Sequence, residues 1–296
     1  MLSTLQPPGR IPESELVLRN DGSLYHLGVR REHIADKVII VGDPDRVSKI
    51  SQRFEYLEVK ISSREFVIHT GQYQGKRITV VSSGIGVDNI DIVINELDAA
   101  VNVDLKTREI RLPGDRTSLQ ILRLGTCGSL HSDIPVGTHI CSRYAFAVDG
   151  VPWSYEAQST EDECALTQEL QNHFEWLNHP SLYSAAAGES LFQQLSEGCI
   201  SGITATANGF YGPQGRSVRL KSRMNQRIND YASFEWQGYR ITNFEMECAG
   251  IYALSSMLGH QALTLCVALA NRADQVFHSH PEAAVSHLID SALDRF

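Results

Sequence analysis

Apolar residues recur along the chain at two spacings. Short unbroken runs read as buried strands: Val38-Ile39-Ile40-Val41, then residues 78–81, 119–124, 138–142, 199–205 and 262–270. Ile241 to Phe244 reads as the end of one more. Between the runs lie stripes at helical spacing. Residues 89–101 put Ile90, Val93, Ile94 and Leu97 on one face, and residues 164–177 form another helix. A helix with Ile251, Leu254 and Leu258 in line is closed by Gly259 at the left-handed position after its end. Pro281 opens a C-terminal helix lined by Val285, Leu288, Ile289, Ala292, Leu293 and Phe296. After the first strand, Asp43 is an N-cap and Pro44 the first residue of a short helix. The 262–270 run is too continuous for a half-exposed strand, so it is expected to be buried on both faces, with parallel neighbours.

Strands alternating with helices throughout predict one α/β domain, three layers deep (α/β/α), around a twisted mixed sheet. Residues 1–22 read as an extended N-terminal arm and residues 23–296 as the domain. The charged segment 104–117, with Pro113-Gly114, reads as a surface insertion. Residues 71–76 read as a turn, 148–162 as irregular and 225–236 as mixed, largely helical.

Several strands end in turns that carry polar groups: Gly42 to Arg46, Arg123 followed by Gly125-Thr126-Cys127-Gly128-Ser129, Phe210 to Arg216, Glu245-Met246-Glu247 and Asn271-Arg272. In α/β folds, strand ends of this kind gather ligands. Arg46, Arg123 and the Thr126 hydroxyl suit an oxyanion. Gln214 and Arg216 can pair with a planar heterocycle while Phe210 packs on its face. Glu247 can hold a vicinal diol, with Met246 as an apolar floor beneath a sugar. Singly, each signal has a plainer alternative. A βα turn often carries a solvated arginine, and His26 alone reads as a surface residue. Glu245 and Glu247 also lie on one strand face, as paired glycosidase carboxylates would. Gly84-Ile85-Gly86 is no dinucleotide fingerprint, because Asn89 stands where the third glycine belongs.

Composition narrows the classes. The 296-residue chain is 42% hydrophobic and 21% charged, ordinary for a globular protein. Its formal net charge of −9 argues against a general nucleic-acid binder but not against a small anionic substrate. The six cysteines form no CxxC pair and read as buried free thiols of a reducing compartment. No signal peptide and no membrane-length apolar run is seen, so a cytoplasmic location is expected. His278-Ser279-His280 has metal-like spacing without a carboxylate or cysteine beside it.

Gly42-Asp43-Pro44-Asp45-Arg46, Ser63-Arg64-Glu65-Phe66, Arg123-Leu124-Gly125-Thr126, Phe210-Tyr211-Gly212-Pro213-Gln214-Gly215-Arg216, Glu245-Met246-Glu247 and Asn271-Arg272, in that order, resemble the family I nucleoside phosphorylases. The resemblance runs from about Tyr25 to the C-terminus and lies on the family's pyrimidine side. It implies the nucleoside phosphorylase fold. It also implies reversible phosphorolysis of uridine to uracil and ribose 1-phosphate, with inorganic phosphate as co-substrate and no cofactor. Gly42, Arg46, Arg123 and Thr126 would hold phosphate, joined by Arg64 from a neighbouring subunit. Gln214, Arg216 and Arg272 would read uracil, with Phe210 packed on it. Glu245, Met246 and Glu247 would hold ribose, and His26 would reach its 5′-hydroxyl across a dimer interface. A homodimer or an assembly of dimers follows, with a possible interface cation near Glu65 and Asp88.

Purine-selective members carry Ser-Asp where this chain has Asn271-Arg272. Departures from the family pattern are Val87-Asp88-Asn89, Cys248 and the 104–117 insertion, which sets the hexameric packing of some members in question. The alternatives are a purine phosphorylase or nucleosidase of the same fold, or a non-enzymatic nucleoside-binding member.

Overall fold

The structure, a computed structural model, describes residue 5 and residues 9–156 and 159–296. The rest of the N-terminal arm and residues 157–158 of the irregular stretch lie outside the described residues. The chain divides into two compact units, one running to Leu122 with Leu254–Gln261 added, the other comprising Arg123–Ala253 and Ala262–Phe296.

In the first unit the row of strands is Lys37–Val41, Lys76–Ser82, Phe66–Tyr73 and Tyr56–Ser63. The first pair is parallel and the other two antiparallel. Parallel pairing requires a crossover, which the Pro44–Ser51 helix begins. Asp43 caps that helix as expected, its carboxylate accepting from the Asp45 N–H at 3.0 Å. Val87–Asn102 buries Ile90, Val93, Ile94 and Leu97. Tyr56–Ser63 went unread, although Leu57, Val59 and Ile61 alternate with polar residues along it. The turn expected over 71–76 is shorter, since Gly71 to Tyr73 still pair and only Gln74-Gly75 turn. The 104–117 insertion carries a ribbon, Val103–Asp104 with Glu109–Ile110, to which the arm is pinned by an Arg10–Glu109 bridge.

In the second unit Tyr239–Glu245, Ile200–Thr206 and His139–Ala147 run parallel. Gln261–Asn271 lies beyond His139–Ala147, and Gln120–Ser129 beyond that. Gln120–Ser129 also pairs antiparallel with Tyr239–Glu245, through Asn243↔Ser129 and Phe244↔Gly128, so these five strands close into a ring. Closure corrects half of one expectation. Gln261–Asn271 is buried from Ala262 through Ala268 and runs parallel to Gln120–Ser129, with the Gln261 N–H donating to Leu119 O and the Arg272 N–H to Ser129 O, but it runs antiparallel to His139–Ala147 and to Val276–Phe277. A closed ring packed on its outer side covers both faces of a strand whatever the neighbours' direction. Glu161–His173 packs Leu166 and Leu170 against Phe146, Phe174, Tyr231 and Phe244 in an aromatic core. Residues 225–236 are mixed, as expected, with the helix confined to Ile228–Ser233. Tyr183–Ala186 and Glu189–Leu195 were not foreseen.

The Gly-rich turn expected after Leu124 is also corrected, because Gln120–Ser129 continues through it as one strand. Its glycines supply clearance. A Cβ at Gly125 would collide with the Arg123 guanidinium and the Cys266 sulfur. One at Gly128 would lie 3.5 Å from Arg272 Cγ and 3.8 Å from Arg216 Nη2.

Candidate active site

Two polar clusters sit on the second unit, both against the Gln120–Ser129 strand. The first centres on Arg123, 5% exposed. Its guanidinium pairs with Glu247 and, at 3.2 Å, with Glu245, and it donates to Cys266 Sγ at 3.3 Å. Burial alone would push this arginine down, but the carboxylates of Glu247 and then Glu245 outweigh it and hold the guanidinium above its ordinary value. The Cys266 thiol is drawn down by its hydrogen bond with Cys127 and by Arg123.

Glu245 closes the strand. One carboxylate oxygen accepts from the Thr206 hydroxyl at 2.6 Å, the other from the main-chain N–H groups of Glu247 and Cys248 at 2.9 Å each. Those N–H groups open the Cys248–Met257 helix, where orphan donors and the helix dipole both favour an anion. Glu245 is therefore engaged on every side by its own chain, while burial pushes its carboxyl up. Glu247 is 4% exposed, and Met246 and Thr126 are half-buried. Gly259, at φ +80°, ends the helix as expected.

The second cluster joins Phe210, Gln214, Arg216 and Arg272. Arg216 lies flat on the Phe210 ring, 3.8 Å from its centroid, and donates to Phe210 O and Gln214 Oε1 at 2.7 Å each. An arginine only donates, so the Gln214 amide oxygen must face it, which leaves Nε2 as a donor on the side away from Arg216. Gln214 is 3% exposed, on the short Gly212–Gln214 helix. Arg272 donates to Gln214 O at 3.0 Å and is half-buried rather than deep. It forms no ion pair with Asp274 or Glu245 among the described residues; Asp274 accepts from the Ser132 hydroxyl instead. Burial and then the Arg272 charge push Arg216 down to about 10. Burial also lowers Arg272. Among the described residues, two cations thus face each other with no carboxylate paired to either.

The first unit carries the remaining predicted residues. His26 Nδ1 pairs with Glu96 at 2.6 Å, and Glu96 also accepts from the N–H groups of His26 and, at 2.8 Å, Leu27. Arg64, at φ +54°, stacks over Tyr25 at 4.9 Å, and Tyr25 meets the His26 ring edge-on. Ser63 donates to the His26 carbonyl, as does Arg19 at 3.1 Å. His26 and Arg64 are therefore neighbours through Tyr25 and Ser63. Arg46 is half-buried on the Pro44–Ser51 helix, and a Cβ at Gly42 would lie 3.3 Å from Gly84 O. Glu65 and Asp88 are exposed. Among the described residues no group of three or more His, Cys, Asp or Glu could hold a metal, and no helix is long and apolar enough to cross a membrane. Glu96 and Thr206 escaped the sequence reading. Their partners are 70 and 39 residues away, and no local motif marks them.

Comparison with known proteins places the chain in a family. The chain is 30% identical to a uridine phosphorylase of Thermococcus kodakarensis over 260 residues, 87% of this chain and 80% of that protein. It is 25% identical to a DeoD-type purine nucleoside phosphorylase of Thermoanaerobacter over 241 residues, covering 81% of this chain and 84% of the relative. A crystal structure of Trypanosoma brucei nucleoside phosphorylase, described as showing uridine phosphorylase activity, superposes with a TM-score of 0.85 at 29% identity, over 95% of this chain and 99% of that one. The mixed α/β fold is that of the nucleoside phosphorylases. Residues 36–292 match the phosphorylase superfamily, and with both arginine clusters inside that span, the chain belongs to this superfamily.

Proposed function

We propose that the protein is a uridine phosphorylase, converting uridine and phosphate reversibly to uracil and ribose 1-phosphate. The observation that carries the reading is the Gln214–Arg216–Arg272 cluster, whose donors have no carboxylate to satisfy them. Uracil offers two carbonyl oxygens and leaves with negative charge. Two converging guanidiniums and the outward Gln214 amide suit that charge, and preorganised donors of this kind usually supply the largest catalytic term. One face of Phe210 is covered by Arg216, and the ring is 50% exposed, which leaves its other face for the base. A purine of the adenine or guanine type would instead favour an acidic partner at N7, and Arg272 is the opposite of one.

Glu247 is assigned to the ribose hydroxyls, over Met246. Ribose binding would draw Glu247 partly away from Arg123 and free that guanidinium, with Thr126, for phosphate. Glu245 then acts as a positioning residue, fixing Arg123 and the turn. As the glycosidic bond loosens, a phosphate held beside the anomeric carbon removes most of the encounter entropy. Gly42 and Arg46 are assigned to phosphate, and His26 and Arg64 to the site of a partner subunit in a homodimer, on the resemblance of their motifs. His26 is already oriented for this by Glu96. The reaction draws on these side chains and phosphate alone, in nucleoside salvage in the cytoplasm.

Incubating the protein with uridine, with and without phosphate, and following both products tests the proposal. Equal amounts of uracil and ribose 1-phosphate, formed only with phosphate present, are expected. Uracil release without phosphate would make it a nucleosidase.

A further inference from the structure

The N-terminal arm and the 104–111 ribbon enclose a cavity of about 710 Å³ in the first unit, within the range of sites that hold nucleotide-sized molecules. Neither segment has a part in the proposed reaction. The walls carry six cations, Arg19, Arg30, Arg31, Lys106, Arg108 and Arg111. Only three carboxylates share them: Asp21, Glu32 and Asp104. In a chain of net charge −9 this is a local reversal of sign.

The internal pairings leave an excess of positive charge in the cavity. Arg30 takes Asp21 at 3.4 Å and Glu32 at 3.9 Å. Arg31 turns to Asp36 at 3.1 Å, outside the cavity. Arg19 and Arg108 donate to main-chain carbonyls, which engage their N–H groups without cancelling their charge. Asp104 accepts from the N–H groups of Lys106 and Thr107, and those bonds hold its carboxyl below the ordinary range. Lys106 and Arg111 have no ion pair among the described residues, and Arg111 Nε is buried with no hydrogen-bond partner. A buried donor left unmet costs stability unless a ligand meets it. Leu18, Val103 and Leu105 add an apolar floor beside the cations.

We propose that this cavity is a second anion site, separate from the catalytic phosphate site, which binds a di- or triphosphate chain. Several guanidiniums around one cavity match the several charged oxygens of such a chain better than a single phosphate. The apolar floor of Leu18, Val103 and Leu105 favours a phosphate chain that carries a nucleoside over a bare one.

Calorimetric titration of the full-length protein with inorganic triphosphate and with UTP tests this. One triphosphate equivalent per chain should bind the wild type, more weakly as salt is raised. Lys106→Glu together with Arg111→Gln should weaken it by about tenfold or more, with uridine turnover unchanged. Arg46→Ala, altered at the proposed catalytic phosphate site, should leave this binding intact. Lys106→Glu alone, on an exposed side chain, serves as the second variant should the double one fold poorly. UTP binding more tightly than bare triphosphate would assign the nucleotide form, and equal affinities the inorganic form. Binding lost in Arg46→Ala, unaltered by the Lys106 and Arg111 changes, or absent altogether would overturn the proposal.

Discussion

Arg123 and Arg216 stand in the same unit and flank the same strand, yet their surroundings differ in sign. Arg123 is buried between two carboxylates of its own chain and is held above its ordinary value. Arg216 is half-buried beside a second arginine and is pushed down to about 10. The first cluster is complete in partners before any ligand arrives, with two carboxylates to one guanidinium, so a ligand anion must compete with internal pairs. The second has no carboxylate partner among the described residues, so a ligand can supply the negative charge it lacks. Positioning and recognition are thus divided. The complete cluster contributes to holding the fold, whereas the incomplete one gives up some stability for demand on a substrate.

The sharpest way to break this contrast is to delete one arginine from each cluster. Arg123→Ala strands two buried carboxylates without a cation, and losing one partner of such a buried group costs about 3–5 kcal/mol. Denaturant melts should show that loss along with loss of turnover; a variant as stable as wild type would contradict the pairing. Arg272→Ala should instead leave the melting temperature unchanged or slightly raised, with phosphate affinity retained. Its kcat/KM for uridine should fall about ten- to a hundredfold, the value of one charged hydrogen bond. Equal weakening of stability, phosphate and uridine together would mean that Arg272 is structural.

Smaller effects come from the shared strand. Gly125→Ala drives a Cβ into Arg123 and Cys266, in a packed interior that cannot yield, and should cost about 1–3 kcal/mol. Gly128→Ala meets Arg272 and Arg216 only at ordinary contact distance and should stay within about 0.5 kcal/mol. Matching losses at the two positions would remove the difference between the clusters.

The smallest expected effect is a titration. Because Arg216 has a lowered value in the folded state, its charged form is the penalised one. That penalty is present at neutral pH and is relieved as pH rises through about 10 toward the unfolded value. Carbon-13 NMR of the Arg216 guanidinium should give a midpoint near 10 that moves upward in Arg272→Gln. An unmoved midpoint would show that the two charges do not interact.

Much of this was legible in the chain. The buried strands were found because their apolar runs are unbroken, and the amphipathic helices because one face of each is apolar at a fixed period. Asp43, Pro44 and Gly259 marked helix ends through local chemistry that needs no tertiary context. Most of the parts that were missed depend on distant partners. Tyr56–Ser63 does carry a period-2 face, Leu57, Val59 and Ile61 alternating with Glu58, Lys60 and Ser62, but it is short and partly exposed, and its partner strand starts ten residues later. Ring closure through Asn243 and Ser129 joins segments far apart in the chain, and it explains how a doubly buried strand can have one parallel and one antiparallel long neighbour. Gly125 and Gly128 read as turn residues because glycine signals conformational freedom and close approach alike. At the site, the residue types were visible but not their bookkeeping. Nothing near Glu245 in sequence announces that Thr206 and two helix N–H groups occupy it, and nothing near Arg272 announces that its acceptor is the Gln214 carbonyl.

The most direct measurement is a one-pot competition, with uridine and inosine at equal concentration, excess phosphate and the wild-type protein. If the unpaired Arg216–Arg272 cluster reads a pyrimidine, uracil and ribose 1-phosphate should accumulate while inosine stays nearly intact. Hypoxanthine forming as fast as uracil, or faster, would contradict the assignment of that cluster to uracil.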